Sequence, residues 1–269
     1  MNFSFLLGVG CAVVLFSFGL FGETRPSFFL DPHAMIVVVL GTITAGLFSM
    51  PVSNFIGILK GFFRMMVFGK RSDSTFVLKV VENVAEAARA SKTDRNALAD
   101  FQCVHPFLRE GLSMIADGIL SETEMREVLF KRMDFYQRSY LTDAKTLQGL
   151  SKFPPAFGLL GAVTGMIGMM GNLSGGSDVI GRSMAIALVA TFWGICLANV
   201  VLLPLSDYYK GLADQDAFVR QIIIDGVLMV KRKEALPLIE EKMNSYLPPS
   251  KRLATTYGGA SAGAAKKAA

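Results

Sequence analysis

The chain has 269 residues, of which 52% are hydrophobic and only 18% charged, with a net charge of +5. A soluble domain carries about 25% charged residues; here the shortfall gathers in four long apolar runs, which excludes an ordinary water-soluble globule. In such a chain the basic excess marks cytosol-facing loops rather than a nucleic-acid surface.

The first apolar run covers residues 3–22, and residues 33–53, 153–173 and 183–205 make three more. Each reaches the roughly 20 residues that cross about 30 Å of hydrocarbon at about 1.5 Å per residue. Only Met1 and Asn2 precede the first run, so it lacks a basic leader region, and a short loop takes it into the second. It is read as a true span rather than a signal peptide. Lys60, Arg64, Lys70 and Arg71 follow the second run, Lys145 and Lys152 precede the third, and Lys210 and Arg220 follow the fourth. The two intervening loops hold only Arg25 and Arg182. The basic segments are therefore expected inside, with both termini and residues 54–152 cytoplasmic.

Between the second and third spans the pattern is helical. Residues 54–68 alternate apolar side chains (Phe55, Ile58, Leu59, Phe62, Phe63) with Lys60 and Arg64, which suits a helix lying at the membrane surface. Residues 74–91 and 106–119 show helical periodicity. Ser121 followed by Glu124 is a capping box, opening a helix expected to run to Leu150 and on into the third span. Residues 206–246 read as one long amphipathic helix carrying Leu212, Ile222, Ile223, Val227 and Val230, and residues 248–269 as a low-complexity, disordered tail. The expected fold class is thus all-α: transmembrane helices 1 and 2 in 1–53, a cytoplasmic helical domain in 54–152, transmembrane helices 3 and 4 in 153–205, a C-terminal cytoplasmic helix in 206–247 and the tail.

The third and fourth spans hold the chemistry. Glycines at 158, 161, 165, 168 and 171 recur in steps of three and four and share one helix face, as do Ala187, Thr191, Gly194 and Ala198. Such faces let another backbone approach closely. They either line partner helices or pack the bundle internally. From Pro154 to Leu205 the only ionisable side chains of the Asp, Glu, Lys, Arg and His types are Asp178 and Arg182, both in the connecting loop. Thr164 and Thr191 are the only hydroxyls well inside these two spans, and a hydroxyl carries no charge at neutral pH. If the chain conducts ions, the titrating carboxylate has to come from another polypeptide. A lone intramembrane threonine otherwise bonds back to the carbonyl four residues earlier.

Other chemistry finds little support. Cys11, Cys103 and Cys196 have neither CxxC nor metal spacing, so no disulfide and no metal site is expected. His33 and His105 have no helical partner and read as loop or interface residues. No nucleophile–base pair appears, and the GNLSGG stretch at 171–176 follows no strand, so neither an enzyme nor a cofactor site is expected.

Pro155-Ala156-Phe157-Gly158 at the start of span three resembles the MotA/PomA signature. So does Met184-Ala185-Ile186-Ala187-Leu188-Val189-Ala190-Thr191-Phe192-Trp193-Gly194, followed by Leu203-Pro204-Leu205. The layout of two spans, a long loop, two spans and a tail is similar over residues 1–246. The resemblance implies a proton-conducting, torque-generating subunit of the flagellar stator in the bacterial inner membrane. In that family a pentameric ring surrounds a single-span MotB-like partner that supplies an aspartate, and the ring pushes the rotor protein FliG. It further implies that Pro155 and Pro204 couple ion state to conformation, that Thr191 lies near the partner aspartate, and that Arg89 touches the rotor with Asp100 as the acidic counterpart. Ala162 falls where sodium-driven relatives carry a second threonine, which implies protons as the coupling ion. The competing readings are a TolQ/ExbB-like energy transducer, which shares the span-three pattern, and a passive membrane scaffold.

Overall fold

The computed structural model describes residues 31–52, 55–57, 74–93, 101–172 and 176–252, with isolated positions at 7, 10, 11, 14, 29, 98 and 174. The expected first span, the surface helix over 54–68, Asp100 and most of the tail lie largely or wholly outside these residues. Every regular element among the described residues is helical. The chain divides into two compact units, one of residues 1–70 and 140–212, the other of residues 71–139 and 213–269.

In the first unit, α1 spans Pro32–Ser49. Asp31 caps it by accepting hydrogen bonds from the His33 and Ala34 amides at 2.8 and 3.1 Å, and Pro32 takes the first helical position, where its missing N–H costs nothing. The apolar run expected to 53 stops as a helix at Ser49. Pro51 pushes Met50 into extended backbone, as proline does to its predecessor. Three helices among the described residues are long and apolar enough to cross a membrane: α1, the stretch ending at Gly171 and the stretch beginning at Ser177.

Those last two stretches are composite. Helix α4, Glu122–Leu150, is followed after two residues by α5, Phe153–Gly171. Helix α6, Ser177–Cys196, passes into a π-helical turn at Leu197–Leu202 and then into α7, Leu203–Lys231. Around Met50 the last turns of α4 and the first turns of α7 bury Ala144, Leu147, Leu150, Leu205, Tyr208 and Tyr209. The buried Ser206 hydroxyl donates to the Ala144 carbonyl at 2.8 Å, so the polar atom in this cluster is satisfied.

The second unit is built from α2 (Ser74–Thr93), α3 (Pro106–Asp117), the N-terminal part of α4, the C-terminal part of α7, and α8 (Leu236–Asn244). Its core holds Val80, Val84, Leu108, Leu112, Leu129, Ile222, Ile223, Val227 and Ile239. Each such side chain contributes about 1.5–3 kcal/mol on burial. Glycine lets helices meet here too: a Cβ on Gly226 would sit 2.6 Å from Val84 Cγ1, and one on Gly111 2.8 Å from Val227 Cγ2. Helix α4 begins with the expected capping box. The Ser121 amide and hydroxyl donate to Glu124 Oε2 at 2.8 and 2.7 Å, and the Glu124 amide returns a 3.3 Å bond to Ser121 Oγ.

The single helix expected over 206–246 is two. After Lys231 the Glu234 amide bonds the Met229 carbonyl and the Lys233 amide bonds the Val230 carbonyl, with Lys233 left-handed at φ 55°. That pair of bonds is a Schellman stop, and Pro237 then opens α8. The left-handed residue is lysine rather than glycine, so the usual stop signal is missing from the sequence.

Candidate functional site

The α5–α6 pair of the first unit carries most of the expected site residues. Its small-residue faces are turned toward each other. A Cβ on Gly158 would lie 2.9 Å from the Ala190 carbonyl oxygen, one on Gly161 2.6 Å from Ala190 Cβ, and one on Gly165 2.8 Å from Ala187 Cβ. From the other side, a Cβ on Gly194 would lie 2.5 Å from the Pro154 carbonyl oxygen. Of the two readings open for the glycine stripe, internal packing holds for 158, 161 and 165, whereas Gly168 and Gly171 meet nothing within 4 Å. Two helices with no hydrophobic effect between them in lipid gain contact by close backbone approach, which the missing side chains allow. The surface left for other chains is bulky: Leu159, Leu160, Val163, Ile167 and Met170 on α5, with Met184, Leu188 and Ile195 on α6, are all exposed.

Thr191 is half-buried in this seam. Its hydroxyl faces the Ala187 carbonyl four residues back at 3.2 Å and the Gly158 carbonyl of α5 at 3.5 Å. The expected back-bond is present, and the same oxygen also touches the neighbouring helix. Thr164 donates to the Gly161 carbonyl at 2.9 Å. Both hydroxyl hydrogens are therefore committed to backbone, leaving lone pairs as what the oxygens can offer. Ala162 is half-buried beside Gly161. Above this seam Trp193 Nε1 donates to the Phe29 carbonyl at 2.7 Å, a long-range tie with no signal in sequence.

The two prolines are not equivalent. Pro155 is the third residue of α5, in the turn whose N–H groups lack helical partners in any case. Pro204 is exposed and lies within a continuing helical path, two residues after the π turn ends. There the Leu203 amide bonds the Ala198 carbonyl, five residues back instead of four. The widened turn is how the helix passes a residue that cannot donate and whose ring crowds the preceding turn.

The expected rotor-facing residues belong to the second unit. Arg89 is 62% exposed and its guanidinium lies 3.0 Å from Glu240 Oε1 of α8, a carboxylate only 7% exposed. Asp100 is outside the described residues, and the neighbouring Leu98 is fully buried. Glu240, 151 positions away, was not among the sequence candidates. Arg220 is also buried there, its guanidinium 4.0 Å from the Tyr136 ring centre and 4.7 Å from that of Phe107, with Nε 2.6 Å from Asp216 Oδ2. Burial pushes the Cys103 thiol above its usual range, partly offset by Arg109, so it makes a poor nucleophile. Among the described residues no three His, Cys, Asp or Glu side chains are grouped to hold a metal ion.

Residues 99–221 match the model of the MotA/TolQ/ExbB proton channel family. Motility protein A of Borreliella burgdorferi is 29% identical over 268 residues, covering 96% of this chain and all of the relative. Chemotaxis protein PomA of Vibrio alginolyticus is 29% identical, covering 94% of this chain and 98% of the relative. The flagellar MotAB stator complex of Bacillus subtilis contains a chain that superposes with a TM-score of 0.79 at 27% identity, over 92% of this chain and 96% of that one. C. jejuni MotAB gives 0.80 at 19% identity, a likeness of fold. The paired α5 and α6 signatures, the near-complete overlap with motility subunits and the shared helical architecture agree in what this chain is similar to: motility protein A and PomA over nearly its whole length, and the MotA/TolQ/ExbB proton channel family over residues 99–221.

Proposed function

We propose that this chain is the membrane subunit of a bacterial flagellar stator, which conducts protons with a MotB-like partner and turns the ion flow into torque on the rotor. The observation that carries the reading is the α5–α6 seam: the two signature helices carry no Asp, Glu, Lys, Arg or His beyond Asp178 and Arg182, which the structure places in the first two turns of α6 rather than in the expected loop, and the Thr164 and Thr191 hydroxyls are committed to backbone carbonyls. The carboxylate comes from the partner. A hydroxyl that offers only lone pairs accepts a hydrogen bond from a protonated carboxyl and gives nothing to a carboxylate. Thr191 thus favours the proton-loaded aspartate of the partner, and loss of that proton releases the contact. One charge moved through the membrane supplies about 2.3 kcal/mol per 100 mV, more than the 1.4 kcal/mol that shifts a two-state contact tenfold.

In this reading residues 3–22 form a fourth span of the inner membrane, and residues 54–152, residues 206–247 and both termini are cytoplasmic. Five copies ring the partner helices, Ala162 keeps the path suited to protons, Pro155 and Pro204 couple ion state to shape, and Arg89 with Asp100 faces FliG. The bulky exposed residues of α5 and α6 are the surface that the ring and its partner cover. The test is proton flux into vesicles holding this chain with and without the partner, together with swimming of a strain lacking the chromosomal copy. Flux that needs both proteins and motility restored by both support the reading. Flux without motility points to a TolQ/ExbB-like transducer, and neither points to a scaffold; each of these results overturns it.

A further inference from the structure

We propose that Asn199 marks a water-lined passage on span four, where it presents two oxygen acceptors that the helix leaves without donors. The inference rests on the stator reading only for what the passage is used for; its existence follows from the π turn. Asn199 lies in that turn and is exposed. In an α register its carbonyl would accept from the Leu203 amide, but that amide bonds the Ala198 carbonyl. In the five-residue register its donor would be the nitrogen of Pro204, which has no hydrogen. The Asn199 carbonyl therefore has no helical donor. Its side-chain Nδ2 donates to the Ile195 carbonyl at 3.0 Å, leaving Oδ1 as a second acceptor.

These oxygens lie within the apolar run 183–205, six residues from its end, or about 9 Å along the helix. The exposed side chains beside them, Ile195 and Val200, offer no hydrogen-bond donor. A polar group facing hydrocarbon without a partner costs several kcal/mol, and irregular backbone at membrane depth is tolerated only where protein covers it or water lines it. Acceptors without donors call for a donor, and water is the compact one. A span of this kind places its polar residues along an ion path.

The experiment uses the full chain co-expressed with its single-span partner, with Cys11, Cys103 and Cys196 replaced by alanine. Asn199→Cys and Val200→Cys are each exposed to a charged, membrane-impermeant methanethiosulfonate in inverted vesicles. Val200 is exposed and one residue nearer the cytoplasmic end, so depth alone would make it react faster. A water passage makes Asn199→Cys react at least fivefold faster; equal or slower reaction overturns the passage. In the same strain Asn199→Leu is expected to cut swimming speed at least twofold at unchanged membrane level, while Asn199→Ser retains most of it. Wild-type speed for Asn199→Leu overturns the use of the passage in ion flow. Should removal of the whole chain leave swimming unaltered, the stator reading fails and the labelling comparison still decides the passage.

Discussion

The guanidinium of Arg89 on α2 reaches Glu240 on α8 at 3.0 Å, joining two helices 151 residues apart in sequence through a carboxylate almost closed off from water. One partner is exposed, so solvent screens the pair and its contribution is about 1 kcal/mol.

In a double-mutant cycle on thermal unfolding in detergent, Arg89→Ala and Glu240→Gln are expected to couple by about 1 kcal/mol. The motility readout separates structure from rotor contact. Glu240→Gln keeps the Arg89 charge and should keep swimming, whereas Arg89→Ala should lose it. Equal losses in the two variants would reduce Arg89 to a structural residue.

Glycine substitutions should sort by what the added methyl meets. Gly194→Ala drives a Cβ to within 2.5 Å of the Pro154 carbonyl oxygen, a backbone atom that cannot step aside. Overpacking of this kind costs about 1–3 kcal/mol. Gly168→Ala meets open space and is expected to be neutral, or to stabilise by up to about 1 kcal/mol through helix propensity. Melting temperatures of the subunit purified alone check both.

Pro204→Leu restores a backbone donor and lets the π turn relax toward an α register. The variant is expected to insert and assemble at wild-type level, yet to abolish swimming. Pro155→Leu, at a position where no helical bond is missing, should be the milder of the two. Immunoblots of membranes beside swim-plate diameters give the comparison, and normal swimming in Pro204→Leu would remove any coupling role for the turn.

The phenol of Tyr246 donates to Asp225 Oδ2 at 2.5 Å; burial first, and then that bond and the aspartate charge, push its pKa to about 12 from 10.0. A folded-state pKa above the unfolded one means stability that is complete below pH 10 and drains away as pH rises toward about 12. Unfolding followed between pH 9 and 12 should show this loss in the parent and not in Tyr246→Phe.

Lys233 holds a left-handed conformation at φ 55° to close α7, a geometry that costs a side chain about 1 kcal/mol relative to glycine. Lys233→Gly is expected to raise stability by about that amount without altering function, measurable by denaturant titration in detergent.

Much of this was legible in one dimension. The apolar runs locate α1, α5 and α6 because the length of hydrocarbon to be crossed is set by the bilayer. The Ser121–Glu124 box locates the start of α4 because its hydrogen bonds close within four residues. The missing intramembrane carboxylate is likewise a property of composition. What the tertiary structure decided is everything that depends on two segments meeting. A stripe of glycines states that something comes close but not what, and only packing shows α6 of the same chain filling it, with the bulky faces left outward. The stop at Lys233 lacked a glycine to announce it, and the Arg89–Glu240 pair joins charges that local periodicity places on solvated faces. The π turn before Pro204 arises from a missing hydrogen whose effect spreads back along the backbone to Ala198, so its donor-less acceptors at Asn199 appear only once the helix is traced bond by bond.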